Sequence, residues 1–317
     1  MFAPPPPNYS DPMSGPKQGL GRVRPPAFAG TFYPADAAAC LDQARSFVDA
    51  ADLSAPATRR KRWIGGVVPH AGWVCSGAIA GQTIAALSAA ATGRTVDVVV
   101  VFGAVHSTEP LDVAALGDSD RWDVPGGGLD VPAELERRLA ESSANLFCVD
   151  ERFHQQEHAV EVELPMIRYA WPHATVLPVE VPVVDMAERI GMATARAIQK
   201  SNLAAVYLAS SDLTHYGPAY RFTPAGTGVG ALDWAKGNDR RLLQLVTDLQ
   251  VERILPEVRT RMNACGGGAI TAMLAACRAH GATTGEVLRH ANSYETLLHV
   301  ADHGPENAVG YASVVIG

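Results

Sequence analysis

The sequence predicts an α/β fold, a mostly parallel or mixed central sheet flanked by helices, and two patterns carry that reading. Short runs rich in Val, Ile and Ala recur at residues 64–68, 96–102, 175–181, 204–209 and 309–316. Near-continuous apolar runs of this length are typical of strands buried on both faces. Helical patterns lie between them, and strands separated by such helices form parallel βαβ units in a three-layer sandwich.

Taken in order, residues 1–20 carry Pro4-Pro5-Pro6-Pro7 followed by Ser, Gly, Asp and Lys. That stretch cannot bury enough apolar area to offset ordering, so it is expected to be a flexible tail. Order is expected from about Val23-Arg24-Pro25 onward, with 21–317 as a single domain. Helices are expected at residues 37–50, 77–90, 133–142, 157–169, 186–199, 234–247 and 267–280. Residues 112–130 are rich in Gly and Asp and read as an irregular excursion near a site. Residues 221–233 have no readable pattern, and no internal repeat is evident.

The bulk numbers narrow the function. A chain of 317 residues, 47% apolar, can bury a large core. Its net charge of −7 argues against a nucleic-acid binder, because neutralising phosphates needs a basic face. No apolar run reaches the ~18 residues of a membrane span. The N-terminus lacks the charged and apolar regions of a secretory signal. Cys40, Cys75, Cys148, Cys265 and Cys277 are an odd number without CxxC spacing, which favours reduced thiols. A cytoplasmic protein is therefore expected.

Five short signatures hold almost every candidate reactive side chain, each at or near the end of an apolar run. In an open α/β sheet, strand C-termini converge on one crevice, so distant residues can meet there. His70 sits in Pro69-His70-Ala71-Gly72 and His106 in Gly103-Ala104-Val105-His106, each just past a predicted strand. Two imidazoles projecting from strand ends are the start of a metal site. His154-Gln155-Gln156-Glu157-His158 is formally the H-x-x-E-H string of a zinc-peptidase group. That reading needs a downstream glutamate ligand, yet no Glu occurs between Glu188 and Glu252, and Pro165 soon interrupts the helix. The bland alternative is a helix start whose histidines cap or line a crevice. Ser210-Ser211-Asp212 closes a predicted strand, with His215 following. No G-x-S-x-G elbow accompanies it, and such strings often form simple turns, so His215 reads instead as a candidate general base, with Asp212 orienting it or a neighbouring ligand. Cys265 precedes Gly266-Gly267-Gly268 and a predicted helix. A thiol at a helix N-terminus favours the thiolate, a nucleophile or soft metal ligand; the alternative is a small residue in a tight turn.

Together these strings resemble the MEMO family, called AmmeMemoRadiSam system protein B in prokaryotes. Residues 23–34 resemble the family's opening motif, and His70 stands in its PHAG element. Residues 157–165 resemble its EHS-x-E-x-x-LP segment, and 210–216 its SSD-x-x-HY turn. Cys265-Gly266 and Val309-Gly310-Tyr311-Ala312 match its late CG and closing VGYA strings. The resemblance implies a fold similar to class III extradiol dioxygenases, non-haem Fe(II) enzymes that open catechol rings with O₂. It implies His70, His106 and Cys265 as metal ligands and His215 as the acid/base, with Asp212 close to the metal. It further implies His158 as a catalytic and substrate-contacting histidine, with His154 and Glu157 beside it on the substrate side.

Fe(II) is the expected cofactor, with copper or zinc as the alternatives that a soft thiolate ligand admits. A small aromatic or chelating molecule and O₂ would be the reactants. Radical SAM or AMMECR1-like proteins would be the partners that accompany prokaryotic relatives. Some positions depart from the pattern. Gly103-Ala104-Val105-His106 lacks the usual Pro-Ser, Trp73 replaces a common Tyr, and Asn292-Ser293-Tyr294-Glu295 replaces a Ser-Gly-Asp string. Those changes bear on the substrate more than on the metal. A metal-binding adaptor or redox sensor without turnover is the second reading, and a zinc hydrolase built on His154, Glu157 and His158 is the third.

Overall fold

The computed structural model describes residues 21–54, 62–298 and 304–317, so the expected tail at 1–20 lies outside the described residues. The strands are β1 (Val23–Arg24), β2 (Gly65–Val68), β3 (Val98–Gly103), β4 (Ala114–Leu116), β5 (Arg121–Val124) and β6 (Gly127–Asp130). They continue as β7 (Phe147–Val149), β8 (Thr175–Glu180), β9 (Ala205–Ser210), β10 (His215–Tyr216), β11 (Gly285–Asn292) and β12 (Ala308–Ile316). The helices are α1 (Ala37–Asp49), α2 (Trp73–Ala90), α3 (Ala133–Ser142), α4 (Arg152–Gln155) and α5 (Leu164–Ala170). After them come α6 (Ala187–Lys200), α7 (Val229–Thr247), α8 (Val251–Arg261), α9 (Gly267–Ala279) and α10 (Ser293–Leu297).

The central sheet runs β10-β12-β2-β9-β3-β8-β4-β7, with β11 also on β12. Its middle strands β2, β9, β3 and β8 are parallel, whereas β12 is antiparallel to β2 and β4 to β8. The sheet is therefore mixed, as expected. Because side chains alternate across a sheet, each all-apolar strand serves two cores. Val98, Val100 and Phe102 of β3 pack with α6, α7, α8 and α9. Val99 and Val101 pack on the other side with α1, α2 and α5. The long apolar helix α2 spans 18 residues, enough by length and composition to cross a bilayer, but 67% of it is buried inside the protein.

Register sets up the site. Val68 of β2 pairs with Ser210 of β9, and Ser210 with Gly103 of β3, so the three strands end level. The chain segments that leave them carry His70, Asp212 and His106 to one edge.

Some elements differ from expectation. Residues 112–130, expected to be irregular, form β4, β5 and β6, and β1-β5-β6 make a small separate sheet. Trp122 and Val124 are buried while Arg121 and Asp123 are half-buried, an alternation too short to stand out in the sequence. The helix expected at 157–169 begins only at Glu161, as a 3₁₀ turn (Glu161–Glu163) leading into α5. The Glu157 carboxylate accepts the backbone N–H groups of His158 and Ala159, at 2.8 and 3.0 Å, and a side chain bonded to its own backbone competes with helix formation. Helix α7 starts at Val229, earlier than expected, and α8 was not anticipated. In α8 Val251, Ile254, Leu255 and Val258 form a buried stripe at helical spacing, but Pro256 interrupts the pattern. The largely half-exposed β11 also lacked a continuous apolar signal.

Candidate metal centre

His70 follows β2, and its ring is almost entirely buried. Its backbone N–H donates to Asp212 Oδ1 at 2.9 Å. Its Nδ1 lies 2.9 Å from Ser210 Oγ, and that hydroxyl donates its only proton to the Ala159 carbonyl at 2.5 Å. Ser210 must then accept from His70, so Nδ1 carries the proton and Nε2 keeps its lone pair. Such an outer hydrogen bond fixes the tautomer a metal ligand needs.

Glu157 orients His106 in the same way. One carboxylate oxygen accepts from His106 Nδ1 at 2.9 Å, and the other accepts the His106 backbone N–H at 2.7 Å. With Nδ1 taken by Glu157, Nε2 is the ring nitrogen left to face Cys265 or a metal. His158 completes the group, with ring centroids 5.0 Å from His70 and 4.6 Å from His106 in a stacked arrangement. The three histidines each offer a nitrogen within 4.8 Å of the others. Cys265 closes the far side. Its Sγ is 3.2 Å from His70 Nε2, and it hydrogen-bonds to the His106 side chain as well. Gly266 lets the thiol come this close: a Cβ there would meet Ser211 Cβ at 2.7 Å and the Ser210 carbonyl at 2.8 Å.

Burial governs the protonation of this cluster. It drives His70 well below the usual imidazole value, reinforced by the neighbouring His158 and His106 charges. It lowers His158 to about 4, again with His106 adding to the effect. His106 goes the other way. Burial lowers it, but hydrogen bonds to Cys265 and Glu157 outweigh burial and raise it to about 10. Without metal, one imidazolium thus sits between a carboxylate and a thiol. A divalent cation would displace that proton, the usual linkage between metal binding and proton release.

Asp212 is buried and turned back onto the backbone. Burial raises its carboxyl to about 7 against the opposing N–H bonds from His70 and Ala71. Its position suits holding the His70 loop. His215, at the start of β10, is kept neutral by burial. Its Nδ1–H donates to the Leu213 carbonyl at 3.1 Å, leaving Nε2 free, and its ring meets that of Tyr220 at 5.1 Å.

Two expectations for this segment need correction. His154 has no exposed surface, so it cannot contact a substrate. Its ring packs edge-on against Trp122, and Nδ1 lies 3.6 Å from the equally buried Glu180. Helix α4 ends at Gln155, so His154 and His158 do not share a helical face, and the H-x-x-E-H hydrolase reading loses its geometry. Glu157 is likewise 3% exposed and is occupied by His106 and backbone N–H groups, so it orients a ligand rather than facing substrate.

Sequence reasoning gave no role to the clamp that holds this segment. The buried Arg24 guanidinium donates to the carbonyls of His154 and Glu157 and to Glu161, at 2.6–3.0 Å. Glu161 also accepts the N–H groups of Ala27 and Phe28 and the Tyr33 hydroxyl, at 2.7–2.9 Å. Phe28 and Phe32 then lie against the His158 ring, at 5.5 and 4.7 Å between centroids. The only sequence signal for this clamp was the opening motif itself.

A family model described as Memo-like protein matches residues 24–315. The MEMO1 family protein of Methanococcoides burtonii is 31% identical over 302 residues, covering 93% of this chain and 100% of that protein. The MEMO1 family protein of Thermococcus onnurineus is 32% identical over 301 residues, covering 92% and 99%.

Proposed function

The chain belongs to the Memo-like family, and from that premise we propose that it is a non-haem metalloprotein oxidising a small aromatic or chelating substrate with O₂. The observation that carries the reading is the convergence of one ring nitrogen each from His70, His106 and His158, all within 4.8 Å of one another, with the Cys265 thiol 3.2 Å from His70 Nε2 and hydrogen-bonded to His106.

These residues fit a metal ion. With bonds of about 2.3 Å to sulfur and about 2.1 Å to nitrogen, two neighbouring ligands at a right angle stand about 3.1 Å apart. The Cys265 Sγ to His70 Nε2 separation is 3.2 Å. His70, His106 and Cys265 would hold the ion, and His158 offers a further nitrogen beside it. Two imidazoles and one anionic ligand suit Fe(II) with open positions, and the soft thiolate also suits copper or zinc. When bound, the metal supplies a Lewis-acidic centre and a redox partner for O₂.

The chain's own groups supply the rest. His215 is neutral with Nε2 free, the state of a base that takes a proton from a substrate hydroxyl. The Leu213 carbonyl holds its other nitrogen and so fixes the ring. His158, backed by Phe28 and Phe32, offers an aromatic wall to a planar substrate. Asp212 and Ser210 hold His70, and Glu157 holds His106.

The Cys265 contact with two imidazoles favours one second reading, a metal-dependent binding protein or redox sensor in which that thiol is the reactive group. Protein purified without oxygen separates the two. The expected result is one iron per chain and O₂ uptake triggered by a catechol, with His215→Ala losing the uptake but keeping its iron. Stoichiometric iron in both His70→Ala and Cys265→Ala would remove this ligand set. Loss of iron in His158→Ala, with Cys265→Ala retaining it, would make His158 the third ligand. Full turnover by His215→Ala would remove the proposed base.

A further inference from the structure

One aromatic side chain beside the metal centre has no partner for its polar end. Tyr220 closes a 3₁₀ turn, Pro218–Tyr220, just after β10, and its ring meets that of His215 edge-on at 5.1 Å. The residue is 43% exposed, and among the described residues its hydroxyl has no hydrogen-bond partner.

The loop that carries it is firmly held. Gly217 and Phe222 exchange backbone hydrogen bonds at 2.8 and 3.2 Å, and the N–H groups of Tyr220 and Arg221 donate to the Gly217 and Pro218 carbonyls at 3.0 and 3.1 Å. Asn307 Oδ1 accepts the Ala219 N–H at 2.9 Å. Gly217 has φ 122°, and a Cβ there would overlap the Glu306 carbonyl. Phe222 anchors the turn by packing against the Tyr216 and Trp234 rings, at 6.1 and 5.9 Å between centroids. Tyr220 is instead left over His215. A group presented on a fixed loop loses little freedom when it binds a ligand.

The hydroxyl end of Tyr220 faces the cluster. Burial raises its pKa, and the charges of Asp212 and Cys75 add to the effect. Asp212 follows β9, and Cys75 lies in the first turn of α2. Tyr311 is close by as well, but it is 2% exposed and its hydroxyl already bonds to the Cys75 thiol. Tyr220 is therefore the open hydrogen-bonding group on this side. No lysine or arginine is among the groups that act most strongly on Tyr220, Tyr311, Cys75 or Asp212. Arg221 follows in the chain, but it is exposed and its charge is not among those acting on Tyr220. A carboxylate brought here would meet Asp212 with no cation to pair it.

We propose, with the metal centre as premise, that Tyr220 is a substrate-binding residue whose hydroxyl hydrogen-bonds an uncharged polar substituent that the substrate carries beyond its chelating oxygens. The substrate class narrows accordingly to neutral diols of the catechol type with a further hydroxyl-like group.

The test uses iron-loaded full-length protein under argon and calorimetry with three catechols that differ in one substituent: 3,4-dihydroxybenzyl alcohol, 4-methylcatechol and 3,4-dihydroxybenzoate. Tyr220→Phe keeps the ring on His215 and removes only the hydroxyl. The expected result is that this variant binds the alcohol about three- to tenfold more weakly than wild type does, and the methyl compound within about twofold. Wild type should bind the benzoate at least about tenfold more weakly than the alcohol. Unchanged binding of the alcohol, or an equal loss for both neutral catechols, overturns Tyr220 as the binding group. Benzoate bound as tightly as the alcohol overturns the uncharged assignment. Admitting O₂ afterwards separates this contact from the oxidation: Tyr220-dependent binding without O₂ uptake removes the oxidation and supports the contact. No binding of any of the three removes both.

Discussion

Glu157→Gln keeps the side chain's shape and removes its charge at the one carboxylate that holds both His106 and the backbone of His158. Its Oε1 accepts from His106 Nδ1 and from the N–H groups of His158 and Ala159, and its Oε2 accepts the His106 N–H. An amide that keeps its oxygen at the first position turns its NH₂ toward the His106 N–H. One buried donor is then unmet, at about 1–3 kcal/mol. The three surviving bonds also lose their charge assistance, which is roughly half their strength. Together these place the destabilisation at about 3 kcal/mol in urea unfolding of the metal-free protein. Loosening a ligand's outer partner should also weaken metal binding by about 10–100-fold in a chelator competition. The stability difference should depend on pH. Burial raises the Glu157 pKa, but the hydrogen bonds to His106 more than reverse it, so the folded value lies below the ordinary one. Its contribution is therefore present at neutral pH and lost as pH falls below the usual carboxylate value of about 4.3 and through the lower folded one. A variant within about 0.5 kcal/mol of wild type, with unchanged metal affinity, would refute the orienting role.

Glu163 is fully buried, and among the described residues neither carboxylate oxygen has a hydrogen-bond partner. Burial and then the Asp212 charge push its pKa well up, so in the folded state it stays protonated while the unfolded chain ionises. Wild type should then lose stability as pH rises above about 4.3, and Glu163→Gln should gain on it by up to about 1.4 kcal/mol per pH unit. Urea midpoints at pH 4, 6 and 8 check this, and a flat difference would count against it. In α6, a Cβ at Gly191 would overlap the Ala272 carbonyl of α9. Gly191→Ala should therefore force these helices apart and cost about 3 kcal/mol in thermal or urea unfolding. A change below about 0.5 kcal/mol would show that the contact yields freely.

Most of the sheet was legible because its strands are buried on both faces. Val98–Gly103 is a continuous apolar run that no surface helix would carry, and Val176–Val179 is a shorter one inside β8. Elements with weaker local signals were missed. Pro256 hid the buried stripe of α8, β11 is largely half-exposed, and β5 spans four residues with only two of them buried. The H-x-x-E-H string misled for a related reason. Spacing assumes a continuous helix, but the carboxylate of Glu157 binds the two N–H groups that follow it and ends that helix at Gln155.

By itself the sequence determined the residue types at the strand ends, and through its ordered motifs the family to which the chain belongs. Those features are local, so they can be read from neighbouring letters. The tertiary structure alone decided how they meet. Level register of β2, β9 and β3 sets His70 beside the Ser210 hydroxyl that fixes its tautomer, 140 positions away in the chain. Helix α9 brings Cys265 from 195 positions away to His70. Arg24 fastens a segment 130 to 137 positions downstream, in which the His154 ring is buried against Trp122 while His158 joins the cluster. Which ring nitrogen is free, and which histidine is enclosed, depends on partners that sequence spacing does not encode.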